Sequence, residues 1–175
     1  MSRYAFPPGG LPGQDAAPDG RAIFTPAYAF LPAGTMRDIV TSALPGWEST
    51  RAWILARPMS GFAESFAQYA LEVAPGGGSS APEPDPGAEA VLFIASGDGR
   101  LTIDGTTHAL SPGSYAYIPP GTDWAIVNLA TGPLCFHWIR KRYRPAPGLA
   151  APRPLVTHDD AVAPTPMPNT DLWAT

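Results

Sequence analysis

The chain has 175 residues, which is enough for one domain with a sizeable hydrophobic core. It carries 11 Lys and Arg against 15 Asp and Glu, and only 15% of its residues are charged, which argues against a nucleic-acid binder with a basic face. Its 23 prolines and 18 glycines would interrupt the helices of a bundle, whereas a hydrophobic fraction of 45% excludes wholesale disorder. The single cysteine, Cys135, excludes an intrachain disulfide and a Cys-based zinc site.

Nothing in the sequence predicts a membrane segment or an export signal. The longest apolar runs fall far short of the roughly twenty residues that span a bilayer, and the N-terminus lacks a charged-then-apolar leader. We therefore expect a cytoplasmic protein with no membrane partner.

The prolines concentrate at the two ends and leave a folded middle. We predict four segments: a Pro/Gly-rich arm over 1–20, edge strands over 21–49, the barrel over 50–144 and a Pro-rich linker or tail over 145–175. Within the second segment, short strands are predicted over 21–30 and 35–40, where proline is tolerated at a sheet edge.

Stronger strand signals begin at Thr50. Extended runs cover 51–56 and 65–74, and the second alternates apolar and polar residues like a half-buried strand. Residues 76–87 contain no large apolar side chain and predict a solvent-facing loop. The next run, 90–95, is continuously apolar, which predicts a strand buried on both faces.

A hairpin is predicted over 100–110, because Asp104-Gly105 suits the positive φ angles of a type I′ turn. Short strands then follow over 114–118, 123–128 and 134–139, separated by Gly and Pro turns. Many short antiparallel strands at regular spacing are typical of a sandwich or small barrel.

One sixteen-residue motif narrows this fold class. Residues 113–128, GSYAYIPPGTDWAIVN, fit the second cupin motif, G-x5-P-x-G-x2-H-x3-N, except that Trp124 replaces the histidine. The alternative is a chance proline turn between two strands of another sandwich. The motif resembles that of an all-β, antiparallel cupin jelly-roll barrel, and alternation predicts that Trp124 and Ile126 point inward.

The first cupin motif has lost its histidines. Counting from Gly76 places Pro82 and Pro84 at the two histidine positions, and Glu89 precedes Gly97 by one residue more than the motif specifies. A cupin metal centre needs three imidazoles and a carboxylate, so we predict a metal-free barrel.

Longer stretches carry a more specific resemblance. These are LPGWE (44–48), AWILARP (52–58), FAQY (66–69), EAVLFIASG (89–97), LSPGSYAYIPPG (110–121) and RKRYRP (140–145). With them, residues 21–156 resemble the N-terminal half of the (S)-ureidoglycine aminohydrolase family, two-cupin enzymes of allantoin breakdown also described as glyoxylate-induced proteins.

The resemblance implies that the two barrels of the family have different roles. In that family the first barrel lacks metal, and the second holds manganese and hydrolyses ureidoglycine to ureidoglycolate and ammonia. No segment resembling that second barrel occurs before Thr175. Two hypotheses follow: a first half that is inactive alone, or a stand-alone metal-free cupin that binds a small polar metabolite or mediates assembly.

Candidate ligand-binding residues are those we expect to line the barrel: Glu89, Tyr117, Trp124 and His137. No catalytic or metal-binding residue is predicted. Tyr115, Tyr117, Trp124 and Trp138 could stack on a small ureido or carboxylate ligand, or they could simply fill the interior.

The charged segments have competing interpretations. The basic cluster at 140–144 suggests contact with a second cupin domain or another copy of the chain; alternatives are an anion site and a solvated patch. The acidic residues Glu83, Asp85 and Glu89 look like paired carboxylates, but their proline-rich surroundings predict a surface loop.

Overall fold

The computed structural model describes residues 23–24, 29–31, 42–56, 65–166, 168 and 173–174. It is nearly all-β, with strands that pair antiparallel and a three-residue 3-10 helix at Asp159–Ala161. The strands in chain order are β1 Ile23–Phe24, β2 Ala29–Phe30, β3 Glu48–Ala56, β4 Ala67–Ser79, β5 Ala88–Ser96, β6 Gly99–Ile103, β7 Thr106–Leu110, β8 Ser114–Ile118, β9 Trp124–Val127, β10 Leu134–Arg142, β11 Leu155–His158, β12 Thr165–Pro166 and β13 Trp173–Ala174.

Nine of these strands form one sheet that wraps into a nearly closed barrel. Their order is β11-β8-β5-β10-β4-β9-β6-β7, and β3 pairs with β4. The predicted all-β jelly-roll architecture is thus confirmed. In the part of the chain that the structure describes, no helix has the length and apolar character needed to cross a membrane.

Strand β4 is continuous and pairs with different neighbours at its two ends. Its first half pairs with β3 and β10, whereas its last residues, Gly78 and Ser79, pair with Val127 and Ile126 of β9. A Cβ on Gly78 would overlap the carbonyl oxygen of Ile126. Two strands can approach this closely only because the residue has no side chain.

This course of β4 contradicts the prediction of a solvent-facing loop from residue 76. Gly77, Gly78 and Ser79 are buried, and the loop begins only at Ser80. The prediction was wrong because it relied on the absence of large apolar side chains. The glycines are buried by the proximity of neighbouring backbones instead.

Strand β5 corrects a second expectation. Ala90, Leu92 and Ile94 are buried, but Val91 is half-buried and Phe93 is 43% exposed. The strand is therefore buried on one face only.

The hairpin and the later strands confirm the predicted elements. Asp104 and Gly105 have φ angles of 45° and 79°, as a type I′ turn requires, between the paired strands β6 and β7. Asn128 is fully buried; its side-chain amide donates to the carbonyls of Val73 and Gly132, each at 2.8 Å. It thereby fixes the turn that follows β9.

The C-terminal segment contributes more than the predicted linker or tail. Residues 155–158 form β11, which pairs with β8 and extends the main sheet beyond residue 144. Val156 packs against the core. The predicted arm over 1–20 and strand over 35–40 lie outside the described residues.

Candidate functional site

The interior of the barrel is filled with indole rings where a cupin metal site would lie. Trp124 is 6% exposed and points inward with Ile126, which confirms the predicted register. Its ring lies edge-on to Trp138, at 5.9 Å between centroids, and to Trp47, at 6.4 Å. The structure therefore favours filling of the interior by these rings, and Trp124 also borders two pockets, of about 150 and 380 Å³.

Trp47 was not singled out from the sequence. It lies just before β3, and its ring also contacts Phe136, with centroids 6.1 Å apart. The segment LPGWE carries a family resemblance but no pattern that indicates burial. A lone tryptophan beside a turn carries no periodic signal that places it in a core.

The predicted site residue Glu89 lies on the wrong face to join the interior. In β5 the even-numbered residues point inward, so that buried Ala90 occupies the inward position next to it. A shift of one residue moves a side chain to the opposite face of a strand. The extra residue between Glu89 and Gly97 thus puts the carboxylate outside the barrel.

Tyr117 and His137 are on the outer face as well. In β8 and β10 their neighbours Ile118 and Trp138 are buried in the core, while Tyr117 and His137 are half-buried. Of the four residues expected to line the barrel, only Trp124 does so. The prediction was wrong for the other three because strand membership was read without the in/out register.

Two of these outer residues nevertheless contact each other. The Tyr117 hydroxyl donates to Glu89 Oε2 at 2.7 Å, and Lys141 Nζ lies 3.3 Å from Glu89 Oε1. Burial raises the pKa of Tyr117 above its ordinary value, and the hydrogen bond to the Glu89 carboxylate raises it further. Tyr117 is therefore a stable hydrogen-bond donor and a poor general base.

His137 remains without a hydrogen-bond partner in the described structure. It lies between Ala70 and Phe93 on neighbouring strands, and its Nδ1 atom is buried with no partner. Cys135 shares its face of β10, but the two do not form part of a larger ligand set among the described residues.

A buried ion pair closes one end of the barrel. The Glu83 side chain is only 8% exposed, and Arg140 Nη2 bonds to its Oε1 atom. The Arg140 guanidinium also lies over the Trp138 ring, 5.5 Å from its centroid. Glu83 was predicted to lie in a surface loop, and that prediction was wrong because its partner is 57 residues away in sequence.

A second pair lies further out on the same end. Arg142 Nη2 is 3.1 Å from Asp85 Oδ2, and the Gly87 N–H donates to Asp85 Oδ1 at 2.9 Å. The Gly87 hydrogen bond and then the Arg142 charge hold the pKa of Asp85 below its ordinary value.

The inward-facing residues do not fit a transition metal of the cupin type. Ala90 and Trp124 provide no ligand atom, and Pro82 and Pro84 replace the two histidines of the first motif. Within the described chain, the one group of His, Cys, Asp or Glu close enough to share an ion is His158, Asp159 and Asp160, which lies on the surface beside β11.

Comparison with known proteins agrees with this architecture. The family model described as "Cupin domain" matches residues 70–140. The (S)-ureidoglycine aminohydrolase of Escherichia coli (strain K12) is 33% identical over 112 residues, which cover 64% of this chain and 42% of that protein.

Two crystal structures give a similar result. A putative glyoxylate-induced protein from Pseudomonas aeruginosa is 52% identical, with a TM-score of 0.79 over 88% of this chain and 58% of that chain. The E. coli protein Ylba, assigned to family model DUF861, is 30% identical, with a TM-score of 0.73 over 82% of this chain and 57% of that chain. The chain thus spans about half the length of these relatives. By its fold and by the match over residues 70–140, the chain contains a cupin domain, and over most of its length it is similar to (S)-ureidoglycine aminohydrolase and to the glyoxylate-induced protein.

Proposed function

We propose that this chain is the non-catalytic cupin of a ureidoglycine aminohydrolase, in which a second, manganese-binding cupin performs the hydrolysis. The identity of 33% to the E. coli aminohydrolase and 52% to the glyoxylate-induced protein supports this assignment. The reaction would release ammonia from ureidoglycine and leave ureidoglycolate.

The observation that carries the proposal is the composition of the barrel interior. Hydrolysis at a carbon bearing an amino group needs a Lewis acid or a positioned general base to stabilise developing charge. Where a cupin metal centre would place its carboxylate and its last imidazole, this barrel has the methyl group of Ala90 and the indole of Trp124. These residues support packing and offer no proton acceptor.

Within such an enzyme, the chain would act as a scaffold for a second cupin domain or for another copy of itself. The outer face of the main sheet suits that role, because Phe93 and Leu155 are 43% and 51% exposed and Val91 and Tyr117 lie between them. Exposed apolar residues that adjoin on one sheet face are typical of an interaction surface.

The ammonia-release assay tests the proposal. We expect this chain alone, supplied with (S)-ureidoglycine and Mn²⁺, to release no more ammonia than the Mn²⁺ control. We expect activity when a manganese-binding cupin of the aminohydrolase family is joined to it. Release by the chain alone would contradict the assignment.

Elemental analysis of the purified chain is the companion measurement. We expect far less than one Mn, Zn or Fe per chain, because Ala90 and Trp124 leave the inward positions without ligand atoms. One tightly held metal per chain, lost on mutation of His137, would contradict a non-catalytic barrel.

A stand-alone, metal-free cupin that binds a small polar metabolite is the second candidate. It is favoured by one observation, a pocket of about 580 Å³ at the end of the barrel closed by Glu83 and Arg140. An active joined protein supports the first candidate. Metabolite binding with no activity in the joined protein supports the second.

A further inference from the structure

One pocket lies where β4 and β5 begin and β10 ends. It has a volume of about 580 Å³, within the range typical of small-molecule sites. Inward-facing residues at the ends of these strands contribute to its wall, among them Ala67, Tyr69 and Ala88. The pocket therefore adjoins the aromatic interior without entering it.

Positive charge is concentrated around this pocket in an otherwise acidic protein. Arg140, Lys141, Arg142 and Arg144 all line it, whereas the net charge of the chain is −4. Three of these cations form ion pairs, with Glu83, Glu89 and Asp85 respectively. Among the described residues Arg144 forms no ion pair, so four cations and three carboxylates lie in or beside the pocket there.

Arg140 offers further donors to the same space. Only its Nη2 atom makes a hydrogen bond in the described structure, to Glu83. A guanidinium has five N–H donors, and none of the Arg140 nitrogen atoms is among the buried atoms without a partner. Arg140 lines the pocket and its side chain is partly exposed, so its remaining N–H donors are not all buried, and the ion pair and the Trp138 ring hold the guanidinium in place.

One wall of the pocket is aromatic. Phe66 and Tyr69 line it, and the Tyr69 ring packs on Trp138 with centroids 5.4 Å apart. Tyr69 is thereby held in a fixed orientation. An inorganic ion would leave this apolar wall unused, whereas a carboxylate on a flat carbon body would contact the rings and the guanidinium groups together.

We propose that this pocket is a binding site for a small organic anion, with a carboxylate held by Arg140 and Arg144 and a flat body against Phe66 and Tyr69. This inference is independent of the aminohydrolase assignment, because it uses neither a metal nor a second cupin.

Titration calorimetry on the full chain at low ionic strength tests the proposal with three probes. Benzoate has both a carboxylate and a flat ring. Benzamide has the same flat ring without the negative charge, and inorganic phosphate has negative charge without a flat ring. We expect one-site binding of benzoate with a Kd of about 1 mM, and at least about tenfold weaker binding of benzamide and phosphate. Equal binding of benzoate and benzamide, or of benzoate and phosphate, would overturn the proposal, as would the absence of saturable benzoate binding.

Two exposed or partly exposed positions give variants that should fold. Arg144→Gln is expected to weaken benzoate binding about tenfold, and Phe66→Ala several-fold, because each removes one of the two recognition elements. The matched control is Arg153→Gln, at an exposed arginine outside the pocket, which should bind benzoate like the unaltered chain. Unchanged binding by Arg144→Gln would overturn the assignment of the carboxylate site.

Discussion

Replacing Trp124 by alanine should remove a central support of the barrel. The side chain is 6% exposed and packs edge-on against Trp47 and Trp138. Truncating a buried Trp to Ala costs about 3–5 kcal/mol, and each aromatic pair contributes about 0.5–1.5 kcal/mol beyond its buried area. We therefore expect a loss near the upper end, about 4–5 kcal/mol, which is a large share of the roughly 5–15 kcal/mol that holds a domain folded.

Urea unfolding followed by far-ultraviolet circular dichroism measures this loss without depending on tryptophan fluorescence. With a slope of about 2 kcal/mol per molar urea, the midpoint should fall by about 2 M. The matched control is Phe93→Ala on the outer face, which is 43% exposed and should cost less than about 1 kcal/mol. If Trp124→Ala does not fold, Trp124→Phe should still fold with a smaller loss. Losses at Trp124 no greater than that of Phe93→Ala would refute the packed interior.

Three further substitutions probe the backbone, a buried amide and a titrating group. Gly78→Ala should unfold the barrel, because the added Cβ would overlap the carbonyl oxygen of Ile126 in β9. Its control is Gly132→Ala, which has open space around the added Cβ and should leave the urea midpoint unchanged. Asn128→Ala should cost about 3 kcal/mol in the same assay, since one buried and two part-buried backbone groups lose their partner; a cost below about 1 kcal/mol would contradict that role. The raised pKa of Tyr117 predicts a contribution to the free energy of unfolding that is fully present below the ordinary pKa of tyrosine and is lost as pH rises through the folded-state pKa. Tyr117→Phe should therefore make the decline in stability at alkaline pH less steep. An unaltered decline would argue against the hydrogen bond from Tyr117 to Glu89.

Local patterns were sufficient for the elements whose structure is decided locally. Asp104-Gly105 predicts its turn because the pair tolerates positive φ at both positions. The motif from Gly113 to Asn128 predicts β8, the tight bend and β9, and its internal spacing also predicts that Trp124 points inward. In each case the deciding interactions lie within about a dozen residues.

Structural features that depend on partners distant in sequence could not be predicted from local patterns. Gly77 and Gly78 look like a loop in sequence, and only the approach of β3 and β9 makes them part of a strand. Glu83 looks exposed because its loop is rich in proline and acid, whereas Arg140 buries it from across the barrel. Single-residue patterns contain no information about such pairings, since either partner alone is compatible with solvent.

Which residues line the candidate site is decided by strand register more than by residue type. Glu89 has the chemistry of a ligand, but the two-residue period of a strand places it outside and Ala90 inside. The offset from Gly97 is visible in the sequence as a departure from the motif. Two-residue alternation from Leu92 and Ile94, which both face the core, places Glu89 on the outer face.

The packed interior and the basic pocket are connected through β10. Trp138 and Arg140 share one face of this strand, so the ring that fills the barrel also supports the guanidinium at its end. A buried carboxylate such as Glu83 needs a cation beside it, and Arg140 supplies one while keeping donors available on its outer side. An imidazole and a metal at the position of Trp124 would require open, polar space beneath this ion pair. Trp124 therefore occupies the space that an imidazole and a metal would need, while Trp138 supports the Arg140 guanidinium that lines the pocket.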